Sequence, residues 1–260
     1  MKKNTHTDVC HICGKNAKLT FEHIPPKNAL NSQRAIAYNG NEMMNKYNGK
    51  PSQYMNMQQG MGKYTLCENC NNITGSWYAD AYCKVANEIA FSLQDIPLKH
   101  GVTIRSFYKN MPVLPFVKQI IAMFCSLIPY EEVNRLGFNR LLLEKESNYV
   151  NTELFDLRMY YTPMKTGQIY SGITTLLFKN DNNEVEAANL VDLAAYPFGF
   201  ILNLTPETNI PYGISINKLF NFSYDDTCDI TIPLTYIERY NEDAPLPTVF
   251  KPLPIKNNDD

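Results

Sequence analysis

Two C-x-x-C pairs constrain this chain more than anything else in it. Cys10-His11-Ile12-Cys13-Gly14 and Leu66-Cys67-Glu68-Asn69-Cys70-Asn71 each offer two thiolates at adjacent corners of a tetrahedral Zn²⁺ site. One pair alone is weak evidence. Two in one chain, one followed by Gly and the other opening a helix, predict a four-thiolate zinc centre, the alternative being unliganded buried thiols. The 53 residues between Cys13 and Cys67 exceed compact zinc-ribbon spacing, so the centre has to draw distant segments together. Four Cys ligands leave no open position for water or substrate, so such a metal folds a small module and the chemistry comes from elsewhere.

Seven cysteines is an odd number, which argues against a disulfide framework and for a reducing compartment. The amino terminus is basic but leads into Asp8 and Cys10 instead of an apolar stretch. No apolar run reaches the roughly 18 residues of a membrane span. These features predict a soluble, cytoplasmic protein with no membrane partner. With 24 Lys+Arg against 26 Asp+Glu, no global field attracts nucleic acid. The charge is uneven, however: residues 1–96 carry 10 basic against 7 acidic residues, and 97–260 carry 14 against 19.

A soft boundary near Pro97 follows, with a zinc-binding module over 1–96 and an α+β region of unassigned role over 97–260. Residues 28–62 are polar, rich in Asn, Gln, Met and Gly, and read as a long loop or insertion. Tyr78, Tyr82, Val85, Ile89 and Leu93 fall at spacings of 4, 3, 4 and 4, which predicts a helix ending near Pro97. Leu114, Val117, Ile121, Phe124 and Ile128 predict a second, ended by Pro129, and a third is expected from Glu131 to about Glu146. From Leu154 the texture turns to strand, at 155–161, 173–178, 198–204, 212–216 and 229–234. Val185 to Ala195 fits helix or strand equally. The fold class expected is α+β, with helices packed on a mixed or antiparallel sheet of about five strands.

Directly after the first pair stands Leu19-Thr20-Phe21-Glu22-His23-Ile24-Pro25-Pro26-Lys27, and directly after the second Asn71-Asn72-Ile73-Thr74-Gly75. The ordered set C-x-x-C-G, Glu-His-Ile-x-Pro, then Leu-Cys-x-x-Cys-Asn resembles the HNH endonucleases, in the zinc-stapled form of their ββα-metal (treble-clef) core. The resemblance covers residues 8 to 90. It implies His23 as general base on the attacking water, Glu22 as a ligand of a catalytic divalent ion, and Asn72 or Asn71 as a further metal contact. It also implies Cys10, Cys13, Cys67 and Cys70 on a structural zinc. The chemistry agrees: phosphodiester hydrolysis needs a base titrating near neutrality and a hard cation on the phosphate, and a carboxylate and an amide oxygen suit Mg²⁺ or Mn²⁺.

The sequence departs from that pattern in two places. No His follows the second pair before His100, so Asn stands in the last position of the motif. The central Asn that steadies the base-bearing loop has no unique match among Asn39, Asn41, Asn45, Asn48 and Asn56. His11 reads as a solvent-facing spacer. Lys15, Lys18, Lys27, Arg34, Lys46, Lys50 and Lys63, interleaved with Tyr38, Tyr47, Tyr54 and Tyr64, can line a phosphate path or simply form a solvated surface. The expected function is a metal-dependent HNH nuclease acting on nucleic acid, DNA before RNA, in phage defence, restriction or a mobile element. Residues 97–260 would serve as a specificity, protein-partner or homo-oligomer surface. The alternatives are a non-catalytic zinc-binding adaptor for nucleic acid or protein, and a structural subunit acting through 97–260.

Overall fold

A knuckle separates the first two strands. In the computed structural model, which describes residues 6–93, 96–163, 168–179 and 182–237, β1 (Thr7–Val9) turns through the first C-x-x-C into β2 (Asn16–His23). They pair antiparallel from Thr7↔Lys18 to Val9↔Asn16. The turn passes through Gly14 at φ +70°, a conformation that favours glycine.

Residues 28–62, expected to be a loop, instead build a small lobe: β3 (Ala35–Ala37), α1 (Gly40–Tyr47) and β4 (Met55–Met57). β3 and β4 pair antiparallel, and Asn39 caps α1 by accepting the Glu42 N–H at 2.9 Å. The three elements are too short for a period to show, and α1 buries no residue. The chain returns as β5 (Gly62–Cys67), which pairs with the other edge of β2 and runs directly into α2 (Glu68–Trp77) and α3 (Ala79–Leu93). In α3, Tyr82, Val85, Ile89 and Leu93 are buried, as their spacing requires.

A strand not anticipated, β6 (Thr103–Pro112), leads into α4 (Val113–Cys125), which is buried along its whole length. Its Lys118 donates from Nζ to the Glu144 and Lys145 carbonyls at 2.9 and 2.8 Å and lies over the Tyr78 ring. Burial pushes that ammonium down to about 8, against the pull of Glu144 and Glu146. The single helix expected from Glu131 is split into α5 (Tyr130–Arg135) and α6 (Phe138–Leu143) by Gly137 at φ +73°.

The remaining strands are β7 (Asp156–Tyr161), β8 (Gln168–Tyr170), β9 (Thr174–Lys179), β10 (Val185–Ala195), β11 (Phe198–Asn203), β12 (Ile214–Ser215) and β13 (Thr227–Thr235). Six of them form a sheet in the order β12-β7-β11-β10-β8, with β9 on the first half of β10, and β13 pairs with β6. Every ladder between these strands is antiparallel. The ambiguous stretch Val185–Ala195 is therefore a strand, with three partners. The molecule is α+β, and one buried apolar cluster runs from Cys10 and Ile12 through α3 and α4 to Phe198, Phe200 and Leu234, on both sides of Pro97. Among the described residues no helix is long and apolar enough to cross a membrane.

Candidate metal centre and the Glu22–His23 strand end

The β2–β5 pairing, from Leu19↔Cys67 to His23↔Gly62, delivers the second C-x-x-C to the first. The Sγ atoms of Cys10, Cys13, Cys67 and Cys70 all lie within 4.8 Å of one another, with Cys13 and Cys67 at 3.8 Å. Four ligands at about 2.3 Å on tetrahedral corners stand about 3.8 Å apart, so the cluster has the dimensions of a site that could hold a metal such as zinc. The Cys70 thiol and backbone N–H groups, that of Cys67 among them at 3.3 Å, pull the Cys10 thiol down to about 4. The shared hydrogen bond with Cys10 and burial drive Cys70 upward, and burial raises Cys13. Four thiolates this close repel, and a divalent cation is what lets all of them ionise.

The knuckle is anchored from beneath. His11, half-buried instead of facing solvent, donates from Nδ1 to the Cys125 carbonyl at the end of α4, at 3.0 Å. A Cβ on Gly14 would come within 2.5 Å of the Tyr130 ring, so this position tolerates only glycine.

β2 ends in Glu22 and His23, whose side chains leave opposite faces of the strand. Glu22 is only 7% exposed, and burial pushes its carboxyl up to about 8. His23 donates from Nε2 to the Gln59 carbonyl at 2.9 Å. A carbonyl can only accept, so Nε2 carries the proton and Nδ1 is left as the basic nitrogen. The loop bearing Gln59 approaches closely because Gly60 and Gly62 have no side chains: a Cβ there would meet Asn31 O at 2.0 Å and Glu22 O at 2.1 Å.

The two asparagines after Cys70 separate by one helical step. Asn71 turns to β2 and donates from Nδ2 to Thr20 Oγ1 at 2.9 Å and Phe21 O at 3.2 Å, whereas Asn72 is exposed. Of the two, Asn71 is the one set against the strand that bears Glu22 and His23. An asparagine not among the five weighed from the sequence, Asn31, is 2% exposed and ties the segment after His23 to the one after Gln59. Its Nδ2 donates to Pro25 O and Met61 O at 2.6 and 2.8 Å, and its Oδ1 accepts the Met61 N–H at 2.8 Å. Its place in the polar turn that follows Glu-His-Ile-Pro-Pro was the one sequence signal.

The basic residues Lys15, Lys18, Lys27, Arg34, Lys46, Lys50 and Lys63 are all exposed. Tyr64 stacks on His6 at 4.1 Å and meets Phe21 edge-on at 5.3 Å, and Phe21 meets His23 at 4.9 Å. An aromatic row therefore runs along the sheet to His23. Tyr38 and Tyr54 pair instead on the lobe, at 6.1 Å, with Lys46 over Tyr38. Compared with known proteins, the chain matches no family model, no curated protein and no solved structure.

Proposed function

We propose that this protein is a metal-dependent endonuclease of the HNH type. In this reading a zinc-stapled ββα-metal core of β2, β5 and α2 hydrolyses phosphodiester bonds of nucleic acid, DNA first, in a reducing cytoplasm. The observation that carries the reading is the state of His23: Nε2 is bound to the Gln59 carbonyl, which leaves Nδ1 to take a proton from water. From the opposite face of the same strand Glu22 would offer a carboxylate, and from α2 Asn71 an amide oxygen, to Mg²⁺ or Mn²⁺, whose part would be to neutralise charge on the phosphate and the leaving oxygen. Cys10, Cys13, Cys67 and Cys70 would hold Zn²⁺ for folding alone. The resemblance on which the reading rests makes restriction, phage defence or mobile elements the contexts to examine.

One observation favours the non-catalytic adaptor. Among the described residues, the four cysteines are the one group of three or more His, Cys, Asp or Glu side chains close enough to share a metal, so a catalytic ion would rest on a single carboxylate. Cleavage decides between the readings. Plasmid, linear duplex, single-stranded DNA and RNA are incubated with Mg²⁺ or Mn²⁺ and either the wild type or His23→Ala. Cleavage by the wild type and at least about a hundredfold less by the variant supports the nuclease. No cleavage of any substrate, or equal cleavage by both, removes it.

A further inference from the structure

We infer that β8, from the carboxy-terminal sheet, is the positioning strand of the proposed base: Tyr170 and Gln168, acting through Asn31, hold the two backbone segments between which the His23–Gln59 contact is made. The inference rests on the nuclease reading for its catalytic consequence and on geometry alone for the rest. Ile24 and Pro25 follow His23 directly, and Met61 lies two residues beyond Gln59. These three residues are what the network grips. The Tyr170 hydroxyl donates to the Ile24 carbonyl and faces Gln168 Oε1 at 2.5 Å. Gln168 Nε2 donates to Asn31 Oδ1 at 3.2 Å. Asn31 in turn binds Pro25 O and both backbone polar groups of Met61, while Ile24 N–H donates to Met61 O at 3.0 Å.

The orientations are forced by the count of donors and acceptors. Asn31 must turn its NH₂ to two carbonyls, so its oxygen takes the N–H of Met61 and one from Gln168. Gln168 is thereby obliged to present its oxygen to Tyr170, whose single proton faces two acceptors. Burial holds the Tyr170 phenol well above its ordinary range, so it remains a donor throughout the working pH range. β8 is itself fixed to β10 by Leu193↔Tyr170, Ala194↔Ile169 and Ala195↔Gln168. A shift of that sheet edge is therefore felt at the Ile24–Pro25 peptide, one residue beyond His23. Tyr170, Gln168 and Asn31 are positioning residues, since none of them reaches the reacting atoms.

The test separates positioning from simple stability by reading the imidazole directly. Long-range ¹H–¹⁵N spectra of His23 are recorded for the full-length wild type, Tyr170→Phe, Gln168→Leu and Tyr224→Phe. The last is a control, because the Tyr224 hydroxyl donates to the Trp77 carbonyl outside the network. Wild type and control should show one neutral tautomer, protonated at Nε2. Tyr170→Phe and Gln168→Leu should show mixed tautomers, and in cleavage a roughly tenfold lower kcat at unchanged KM, the signature of a displaced catalytic group. A His23 tautomer in both variants identical to wild type, or altered equally in Tyr224→Phe, overturns the inference. The ring spectra decide it even if no protein cleaves anything, in which case it is the nuclease reading that fails.

Discussion

Glu22 is the residue whose titration reaches furthest. Its folded carboxyl titrates near 8 because it is buried, against about 4.3 in an unfolded chain. The folded state therefore binds more protons between those values, and stability falls as pH rises through that window. The loss approaches, at its steepest, about 1.4 kcal/mol per pH unit. Glu22→Gln should flatten the decline between pH 5 and pH 8 in denaturant melts, and an unchanged slope would show that the carboxyl does not titrate there. A cation binding at Glu22 has to displace that proton, so divalent affinity should rise with pH up to about 8. The sequence singles out Glu22 and His23 as candidates because they stand together between two knuckles. It does not single out Asn31, since an asparagine in a polar turn gives no periodic signal. Asn71 and Asn72 differ by one helical step, a distinction that composition alone does not make.

Among the elements, the four-cysteine cluster, which could hold a metal such as zinc, is the joint on which the rest turns. It fastens the β1–β2 turn to the start of α2, while His11 and Gly14 fix the same knuckle to α4 and Tyr130. Replacing Cys67 and Cys70 together with Ser should abolish a stoichiometry of one zinc per chain and lower the thermal midpoint by more than 10 °C. Metal-free protein that melts like the wild type would refute the staple. α3 and α4 could be read from their apolar spacing alone. Val185–Ala195 could not, because a strand paired along its length to three others is apolar without strict alternation. The break at Gly137 lay inside an otherwise helical pattern, where a single glycine is tolerated as often as it terminates.

At the scale of the whole molecule, long-range pairing is what sequence patterning leaves open. β6 and β13 join residues more than a hundred positions apart, and no local signal assigns a strand its partner. The placement of β8 against the loop after His23 is of the same kind, and it ties the acidic carboxy-terminal region to the site in the basic amino-terminal third. The nuclease and the adaptor differ in one countable property, which is a second metal. The measurement that tests the central claim most directly is Mn²⁺ binding, followed by electron paramagnetic resonance on zinc-loaded protein at pH 8, for the wild type and Glu22→Gln. The account predicts one exchangeable Mn²⁺ per wild-type chain, lost in Glu22→Gln, with zinc retained in both. Zinc alone, with no Mn²⁺ bound by the wild type, would contradict it.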